Sequence, residues 1–420
     1  MSILIKSAQI IDSLSPLHLK KKNILISERG LIKYIGNEQP DAKKTVSGKN
    51  LKVSPGWFDL RANFNDPGLE FKEDLQSGRQ TAAAGGFTGV ALLPNTEPVI
   101  QSKNDIRYLT AGNDSALTQI YPLGAVTKSC KGEELTDILD MHAAGAIAFT
   151  DGEKSIWHTD IFLKTLLYLH KFNGLLINKP EDKYLNAFGT MNEGKVNTIL
   201  GMKGMPKLAE AIMIKRDLQI LEYAGGRLHF SNISAAESVK LIRQAKKSGL
   251  KVTCDVAAYS LIWEDKMVSD YDTCYKLNPP LREQPDIRAL EKGFADGTID
   301  AITTSHSPQD KESKRLEFDH AEFGITGLQT FFSLLRSKYN WKQIIPLMDK
   351  FTANPRTILG LDSPGIAEGL KANLTIFDPE AEWIFTDEIN FSKSDNSPLH
   401  GNKLKGKIIG TLNNGRSFFN

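Results

Sequence analysis

The sequence predicts a (β/α)8 barrel of the TIM type, joined to a small β-sandwich domain that both ends of the chain build together. Between residues 54 and 354, short apolar runs alternate with stretches of helical periodicity, which is the pattern of repeated β-α units. Outside that range the chain is rich in short β segments separated by turns. A chain of 420 residues is long enough for one large barrel and an appended domain. We therefore place the composite β domain at 1–53 plus 355–420 and the barrel at 54–354.

The barrel prediction depends on eight β-rich runs with helical stretches between them, as a (β/α)8 barrel requires. The predicted strands are 57–64, 89–93, 119–122, 146–150, 175–178, 227–230, 251–256 and 301–304. The predicted helices include 73–84, 156–172, 206–223, 235–248 and 286–295.

The composite domain is predicted from shorter β segments at the two ends of the chain. These segments are 2–11, 23–27 and 31–35, with a hairpin turn at Arg29-Gly30, and then 372–378 and 405–412.

Composition excludes several classes of protein. The formal net charge is only +2, which gives no electrostatic case for a nucleic-acid partner. The three cysteines show no Cys-x-x-Cys spacing, which argues against a disulfide framework and suits a reducing compartment. The N-terminus lacks the pattern of a signal peptide, and no apolar run approaches the roughly 18 residues of a membrane span. We expect a cytoplasmic protein without a membrane partner.

One segment carries the most specific signal. Residues 56–68 are Gly-Trp-Phe-Asp-Leu-Arg-Ala-Asn-Phe-Asn-Asp-Pro-Gly. This stretch resembles the first-strand signature of cyclic amidohydrolases, in which two histidines hold catalytic zinc and an arginine binds the substrate. Arg61 and Asn63 stand at the histidine positions here, and Asn65 stands at the arginine position. A guanidinium has five donors and no lone pair to give, so Arg61 cannot ligate a cation.

Further motifs extend the resemblance along nearly the whole chain. They lie at 72–74, 82–88, 94–98, 149–152, 278–282 and 323–328. Together they resemble dihydroorotases of the type found in multifunctional pyrimidine-synthesis assemblies. The resemblance implies a barrel of the amidohydrolase type and a zinc-dependent hydrolysis of a cyclic amide.

The resemblance also implies six positions for metal ligands and the general base. In this chain they are Arg61, Asn63, Asp151, Lys179, Asn232 and Ser305. Of these, only Asp151 keeps the family's residue. Zinc needs imidazole, thiolate or carboxylate ligands, usually three or four of them. We therefore expect no metal, no other cofactor and no catalytic residue.

Substrate-binding positions are better kept. Asn95, Asn278 and the pair Phe323-Gly324 match the family's residues. Asn65 replaces the arginine that grips a carboxylate, and Gln309 replaces a histidine. A ligand of the dihydroorotate type would lose its bidentate ion pair at Asn65.

The changed positions bring new charges into the barrel mouth. Arg61 and Lys179 are cations where the family has metal ligands, and we expect one or both to pair with Asp151, because an unpaired buried carboxylate is costly. Excess positive charge would then let the pocket hold an anion such as phosphate, sulfate or a carboxylate. The alternative is that both long side chains turn out to solvent.

Two histidines beside lost ligand positions invite other interpretations. We expect His229 and His306 to be hydrogen-bonded core residues, because adjacent strand residues point to opposite faces. Ser305 next to His306 is not a serine-hydrolase site, since the nucleophile-elbow pattern is missing. Tyr259 is expected to pack.

These observations lead to one main functional hypothesis and two alternatives. The main hypothesis is an inactive dihydroorotase-like protein of pyrimidine biosynthesis that forms a homo-oligomer and acts as a structural or regulatory partner of aspartate transcarbamoylase. The first alternative is an active dihydroorotase or other cyclic amidohydrolase with a rebuilt site. The second is a sensor of small anions that uses the old pocket.

Overall fold

The structure is a computed structural model that describes all residues from 1 to 420. It contains 18 strands, which are β1 Ile3–Ile10, β2 Lys21–Ile26, β3 Ile32–Gly36, β4 Lys44–Val46, β5 Lys52–Pro55, β6 Trp57–Ala62, β7 Phe87–Leu92, β8 Gln119–Gly124, β9 Ala148–Phe149, β10 Leu175–Asn178, β11 Met191–Asn192, β12 Gly204–Met205, β13 Arg227–Phe230, β14 Val252–Ala257, β15 Ala301–Thr303, β16 Leu374–Ile384, β17 Lys403–Asn413 and β18 Arg416–Phe419.

Thirteen α-helices connect and cover these strands. They are α1 Leu75–Ala84, α2 Lys103–Thr110, α3 Ile138–Ala143, α4 Thr159–His170, α5 Lys195–Leu200, α6 Lys207–Ala224, α7 Ala236–Lys247, α8 Ala258–Ile262, α9 Gln284–Ala295, α10 Lys311–Lys314, α11 Phe331–Lys338, α12 Trp341–Ile344 and α13 Ala353–Leu359. None of the helices is both long enough and apolar enough to cross a membrane.

Eight parallel strands form the barrel sheet, in the order β6, β7, β8, β9, β10, β13, β14, β15. Every residue of β6 and β7 is buried, because strands with helices outside and side chains packed inside have no face in water. Each of the eight strands falls on one of the predicted runs. The (β/α)8 barrel predicted from the sequence is confirmed.

Helix starts follow local sequence signals. Helix α1 begins after Asp74, whose side chain accepts a hydrogen bond from the backbone N–H of Ser77, and Ser77 bonds back to the Asp74 N–H. This capping box satisfies two backbone donors that the first turn leaves free. Helix α4 begins three residues later than predicted, because the backbone N–H of Ile156 donates to the Asn178 side chain instead of joining a helix.

The barrel closes between β6 and β15, which share no strand ladder. The two meet through a single parallel bridge between Ala62 and His306. Beside it, the Asp59 carboxylate accepts hydrogen bonds from the backbone N–H and the hydroxyl of Thr304. Asp59 is completely buried, and burial raises its pKa to about 7. This seam brings the first and last barrel strands, and the site residues that follow them, side by side.

Both ends of the chain contribute to the second sheet, as expected. Its order is β18, β17, β16, β5, β1, β2, β3, and β4 also pairs with β1. Antiparallel pairing of β16 with β5 joins the C-terminal strands to the N-terminal ones. A separate apolar cluster, which includes Ile5, Ile24 and Leu374, lies against this sheet. The boundaries predicted for the two domains stay a prediction.

Candidate active site

The predicted site residues gather where the barrel strands end. Arg61 lies on β6, and Asn63 follows that strand. Lys179 follows β10, Asn232 follows β13 and Ser305 follows β15. Carboxyl ends of barrel strands point to one face, where barrel enzymes carry their active sites. The fold therefore brings these five positions together.

A carboxylate that the sequence analysis did not single out lies at the centre of the mouth. One oxygen of Glu153 is 2.6 Å from an Arg61 guanidinium nitrogen, and the other accepts a hydrogen bond of 3.0 Å from the Asn63 amide. The Lys179 ammonium lies 3.7 Å from Glu153, and its other carboxylate neighbour is Glu181 at 3.1 Å. Two cations thus face two carboxylates.

The cationic side chains are buried. Only 2% of the Arg61 side chain and 3% of the Lys179 side chain are exposed, so the alternative in which both turn out to solvent is wrong. Burial alone would raise the pKa of Glu153, but the attraction of Arg61 and Lys179 outweighs burial and lowers it. Glu153 is therefore ionised at neutral pH. Because Glu153 and Glu181 balance the two cations, the excess positive charge expected from the sequence is absent.

Asp151, the one retained position, is held differently. Its oxygens accept hydrogen bonds from the backbone N–H of Thr127 at 2.9 Å and from the Thr127 hydroxyl at 2.5 Å. Burial raises the pKa of Asp151 to about 6, and the charge of Lys154 opposes this shift only in part. The predicted pairing of Asp151 with Arg61 or Lys179 is wrong, because Glu153 on the same loop takes both cations.

Asn232 and Ser305 continue the network beneath the mouth. The Asn232 amide is oriented so that every donor around it meets an acceptor. Its oxygen accepts hydrogen bonds from Arg61 Nε at 3.0 Å and from the Ser305 hydroxyl at 2.8 Å. Its amide nitrogen then faces Asp255 Oδ1 at 3.2 Å. Both residues have positive φ angles, 55° for Asn232 and 51° for Ser305. Neutral side chains here orient Arg61 instead of holding a cation.

A cavity of about 220 Å³ opens above this network. Four of the predicted substrate-binding residues line it, namely Asn278, Gln309, Phe323 and Gly324. Lys179, Ser305 and Tyr259 also line it. Tyr259 is buried, and its hydroxyl donates to the Pro279 carbonyl at 3.3 Å. Gly324 has a φ of 144°, and a Cβ there would come within 2.4 Å of the Ser307 carbonyl oxygen. Only glycine fits this part of the wall.

Two of the predicted substrate-binding residues lie outside the cavity wall. Asn95 holds the loop after β9, since it donates to the Asp151 carbonyl and accepts from the Glu153 N–H. Asn65 makes one long hydrogen bond, 3.4 Å, to the Pro308 carbonyl. A larger cavity of about 480 Å³ lies elsewhere, between α1, the segment 111–118 and β18, and none of the predicted site residues lines it.

The histidines behave as expected. His229 bonds to Asp255 through Nε2 and to the Thr253 hydroxyl through Nδ1, each at 2.8 Å. His306 Nδ1 accepts a hydrogen bond of 3.2 Å from the Gly327 backbone. Both side chains are buried. Their prediction as hydrogen-bonded core residues is confirmed.

Glu153 and Glu181 are the functional residues that sequence reasoning missed. A signal was available, because two cations entering a buried mouth need counter-charges. Each of these glutamates is the first carboxylate after a site residue, Glu153 after Asp151 and Glu181 after Lys179.

A parallel eight-stranded barrel with a second sheet from both termini, and with a polar cavity at the strand ends, defines the class of cyclic amidohydrolase folds. L-hydantoinase (dihydropyrimidinase) from Arthrobacter aurescens superimposes with a TM-score of 0.83 at 20% identity, over 99% of this chain and 95% of that one. A D-hydantoinase gives 0.81 at 22% identity over the same shares. These likenesses concern the fold alone.

Sequence comparison specifies the family. Residues 51–238 match the family model described as dihydro-orotase-like. The dihydroorotase of Citrifermentans bemidjiense is 38% identical over 424 residues, which cover 99% of each chain. That of Endomicrobium trichonymphae is 38% identical over 98% of each chain. The chain belongs to the dihydroorotase family.

Family membership corrects the main functional hypothesis. The expectation of an inactive partner protein is wrong, because relatives 36–38% identical along the full length are named dihydroorotase and favour the active alternative. Replaced ligands at Arg61 or Lys179 show only that those atoms do not ligate a metal. The loss of these ligands therefore does not exclude catalytic activity of the protein.

The expectation of no cofactor is also wrong, because dihydroorotases and hydantoinases are metal-dependent amidohydrolases. The residues at the family's positions do not fit a zinc ion, however. Arg61 and Lys179 offer no lone pair in their charged forms. No group of three His, Cys, Asp or Glu side chains is close enough to hold a metal. The chemistry considered below therefore uses only the chain's own side chains.

Proposed function

We propose that this protein hydrolyses the ring amide bond of dihydroorotate or of a closely related cyclic amide, as a step of pyrimidine biosynthesis. The observation that carries the proposal is the 38% identity to dihydroorotases over 99% of the chain. The cavity at the barrel mouth is the proposed site of the reaction.

The cavity suits a small ring. An apolar cavity of about 150 Å³ already holds a benzene ring, and the cavity here measures about 220 Å³. Asn278 presents its side chain at the wall and also donates to Glu181 Oε2 at 3.2 Å. Gln309 is fixed by donating to the Phe323 carbonyl and accepting from Lys72. These groups would bind the ring's carbonyl and N–H edges.

Charge at the cavity floor supports a hydrolytic role. When water attacks an amide carbonyl, the carbonyl oxygen gains negative charge, and preorganised donors lower that barrier most. Lys179 is the cation in the wall that would stabilise this charge.

A direct assay tests this proposal. We expect the protein, purified from a host that lacks its own dihydroorotase, to interconvert dihydroorotate and the ureido acid formed by opening its ring. Removing one such donor typically lowers the rate about 10²-fold or more, so Lys179→Met should lose activity to that extent while Glu322→Gln, at the exposed rim, should keep it. Elemental analysis of the same preparation measures its metal content.

The absence of turnover, with and without added zinc, in protein whose folding is verified by circular dichroism would refute the proposal. Equal activity of the wild type and Lys179→Met would refute the role of Lys179 alone.

Association is a separate proposal that rests on the family resemblance. We propose that the protein forms a homo-oligomer and associates with aspartate transcarbamoylase. Sedimentation of the purified protein alone and mixed with that enzyme at micromolar concentration tests both parts. Separate sedimentation of the two, with the protein as a monomer, would contradict them.

A further inference from the structure

The arrangement around Glu153 has the form of a carboxylate-binding site. Each carboxylate oxygen has its own donor, the Arg61 guanidinium for Oε2 and the Asn63 amide for Oε1. Lys179 lies beyond Oε2 and donates to the Glu153 backbone carbonyl at 3.3 Å. Charge-assisted bonds to both oxygens are how proteins recognise a ligand carboxylate.

The Arg61 side chain and the Asn63 backbone are held by groups other than the Glu153 carboxylate. Arg61 also donates weakly to the Gly152 carbonyl at 3.4 Å and bonds to Asn232 through Nε at 3.0 Å. The backbone of Asn63 donates to the His306 carbonyl at 2.8 Å. Both side chains are buried, so their positions do not depend on a mobile surface. Arg61 would keep its position if the carboxylate left.

Glu153 itself is the least buried member. About a third of its side chain, 35%, is exposed, against 2% for Arg61. Its side chain separates the cavity described above from a second one of about 380 Å³. Three lysines line this second cavity, namely Lys131, Lys154 and Lys183, together with Glu133 and Glu181. A rotation of the Glu153 side chain would bring it from Arg61 toward these lysines.

We propose that Arg61 and Asn63 form a binding site for a ligand carboxylate beside Lys179, and that Glu153 is an internal occupant which the ligand displaces. Only the identity of the ligand, a cyclic amide that carries a carboxylate, rests on the proposed function. The site replaces the arginine grip that Asn65 cannot supply. A self-occupied site binds its ligand more weakly in proportion to the fraction of molecules in which it is free.

Chemical rescue tests the site without any turnover. Glu153→Ala should lower the melting temperature, and acetate should restore it saturably by taking the vacated place. Acetamide, which has the same shape without the charge, should not. Glu322→Ala is the matched control, because Glu322 also lines the cavity but is exposed and has no ion-pair partner. Equal stabilisation of both variants by acetate would overturn the proposal.

A second pair of variants decides the question if Glu153→Ala does not fold. Glu153→Gln and Glu322→Gln each remove one negative charge from the cavity and keep the side-chain size. We expect Glu153→Gln to bind dihydroorotate about tenfold tighter than the wild type. Its affinity for dihydrouracil, which lacks the carboxylate, should be unchanged, and Glu322→Gln should resemble the wild type.

Calorimetry of these complexes reports binding alone, so it is independent of the assay for hydrolysis. If Glu153→Gln binds dihydroorotate no tighter than the wild type, the displacement idea is wrong even in an active protein. Tighter binding in a protein without turnover would support the carboxylate site and refute the proposed hydrolysis.

Discussion

Two carboxylates on the same loop, Asp151 and Glu153, are stabilised in opposite ways. Asp151 is held by the neutral hydrogen-bond donors of Thr127, and burial raises its pKa to about 6. Glu153 is held by Arg61 and Lys179, and these cations lower its pKa in spite of burial. The two side chains begin one glycine apart in the sequence.

The difference shows where charge balance is established in a mouth that lacks the family's metal ligands. New cations did not pair with the carboxylate that the family position retains. They paired with the one whose longer side chain reaches across the strand ends. The retained residue is therefore a poor guide to the electrostatics of this site, and its neighbour is a good one.

The largest expected effect is the loss of stability on substituting Glu153. Glu153→Ala leaves the buried Arg61 guanidinium without its carboxylate, and breaking such a pair costs about 3–5 kcal/mol. The exposed third of Glu153 places the loss near the lower end of that range. Urea unfolding at pH 7 measures it. The double variant Arg61→Met with Glu153→Ala should recover more than half of the loss, and an additive result would contradict the pairing.

The next effect concerns Asp151 and depends on pH. Its pKa is about 6 in the folded chain against an ordinary value of 3.8. The folded state therefore keeps a proton that the unfolded state releases, so stability is lost as the pH rises through about 6. A shift of about two units corresponds to about 3 kcal/mol. The free energy of unfolding of Asp151→Asn, measured relative to the wild type, should therefore rise by about this much between about pH 4 and pH 7.

Glu153 supplies the opposite control for that measurement. Its folded pKa lies below the ordinary value of 4.5, so its stabilisation is present above about that pH and is lost as the pH falls further. Glu153→Gln should therefore differ most from the wild type at neutral pH and least in acid. If the stabilities of Asp151→Asn and Glu153→Gln, relative to the wild type, change with pH in the same way, the two carboxylates are not stabilised in opposite ways.

The smallest effect belongs to Asn63. Asn63→Ala removes one hydrogen bond to a charged group, at 3.0 Å from Glu153, which is worth about 1.5–3 kcal/mol. We expect the lower value, because Arg61 still holds Glu153. In the Glu153→Ala background the same substitution should cost much less. An equal cost in both backgrounds would show that Asn63 acts through something other than Glu153.

Most of the fold could be predicted from the sequence because its strands are continuous apolar runs. The run predicted at 175–178 coincides with β10, and the run at 227–230 coincides with β13. The short paired strands β11 and β12 have two residues each, which is too few for any periodicity. Elements of that size depend on their tertiary neighbours.

The site was predicted in part. The family resemblance correctly placed Arg61 at the mouth, because it fixes which residue of β6 stands at a ligand position. The partner of Arg61 could not be derived in that way. It depends on the path of the loop after β9, which Asn95 fixes through contacts to Asp151 and Glu153 from another strand's loop. The order of residues in the sequence therefore does not show that Glu153 lies next to Arg61.

The seam between β6 and β15 has a consequence for how the barrel opens. One backbone bridge and the Asp59–Thr304 hydrogen bonds close it, whereas β10 and β13 pair along four residues. Local opening should be easier at the seam than between β10 and β13, since fewer bonds must break. The Asn63 amide, which bonds across the seam to His306, should exchange its hydrogen for deuterium before the amides of β10 and β13. The strand that carries Arg61 would then lose its register before β10 and β13 separate, and the ligand site would disassemble while that part of the barrel is still folded.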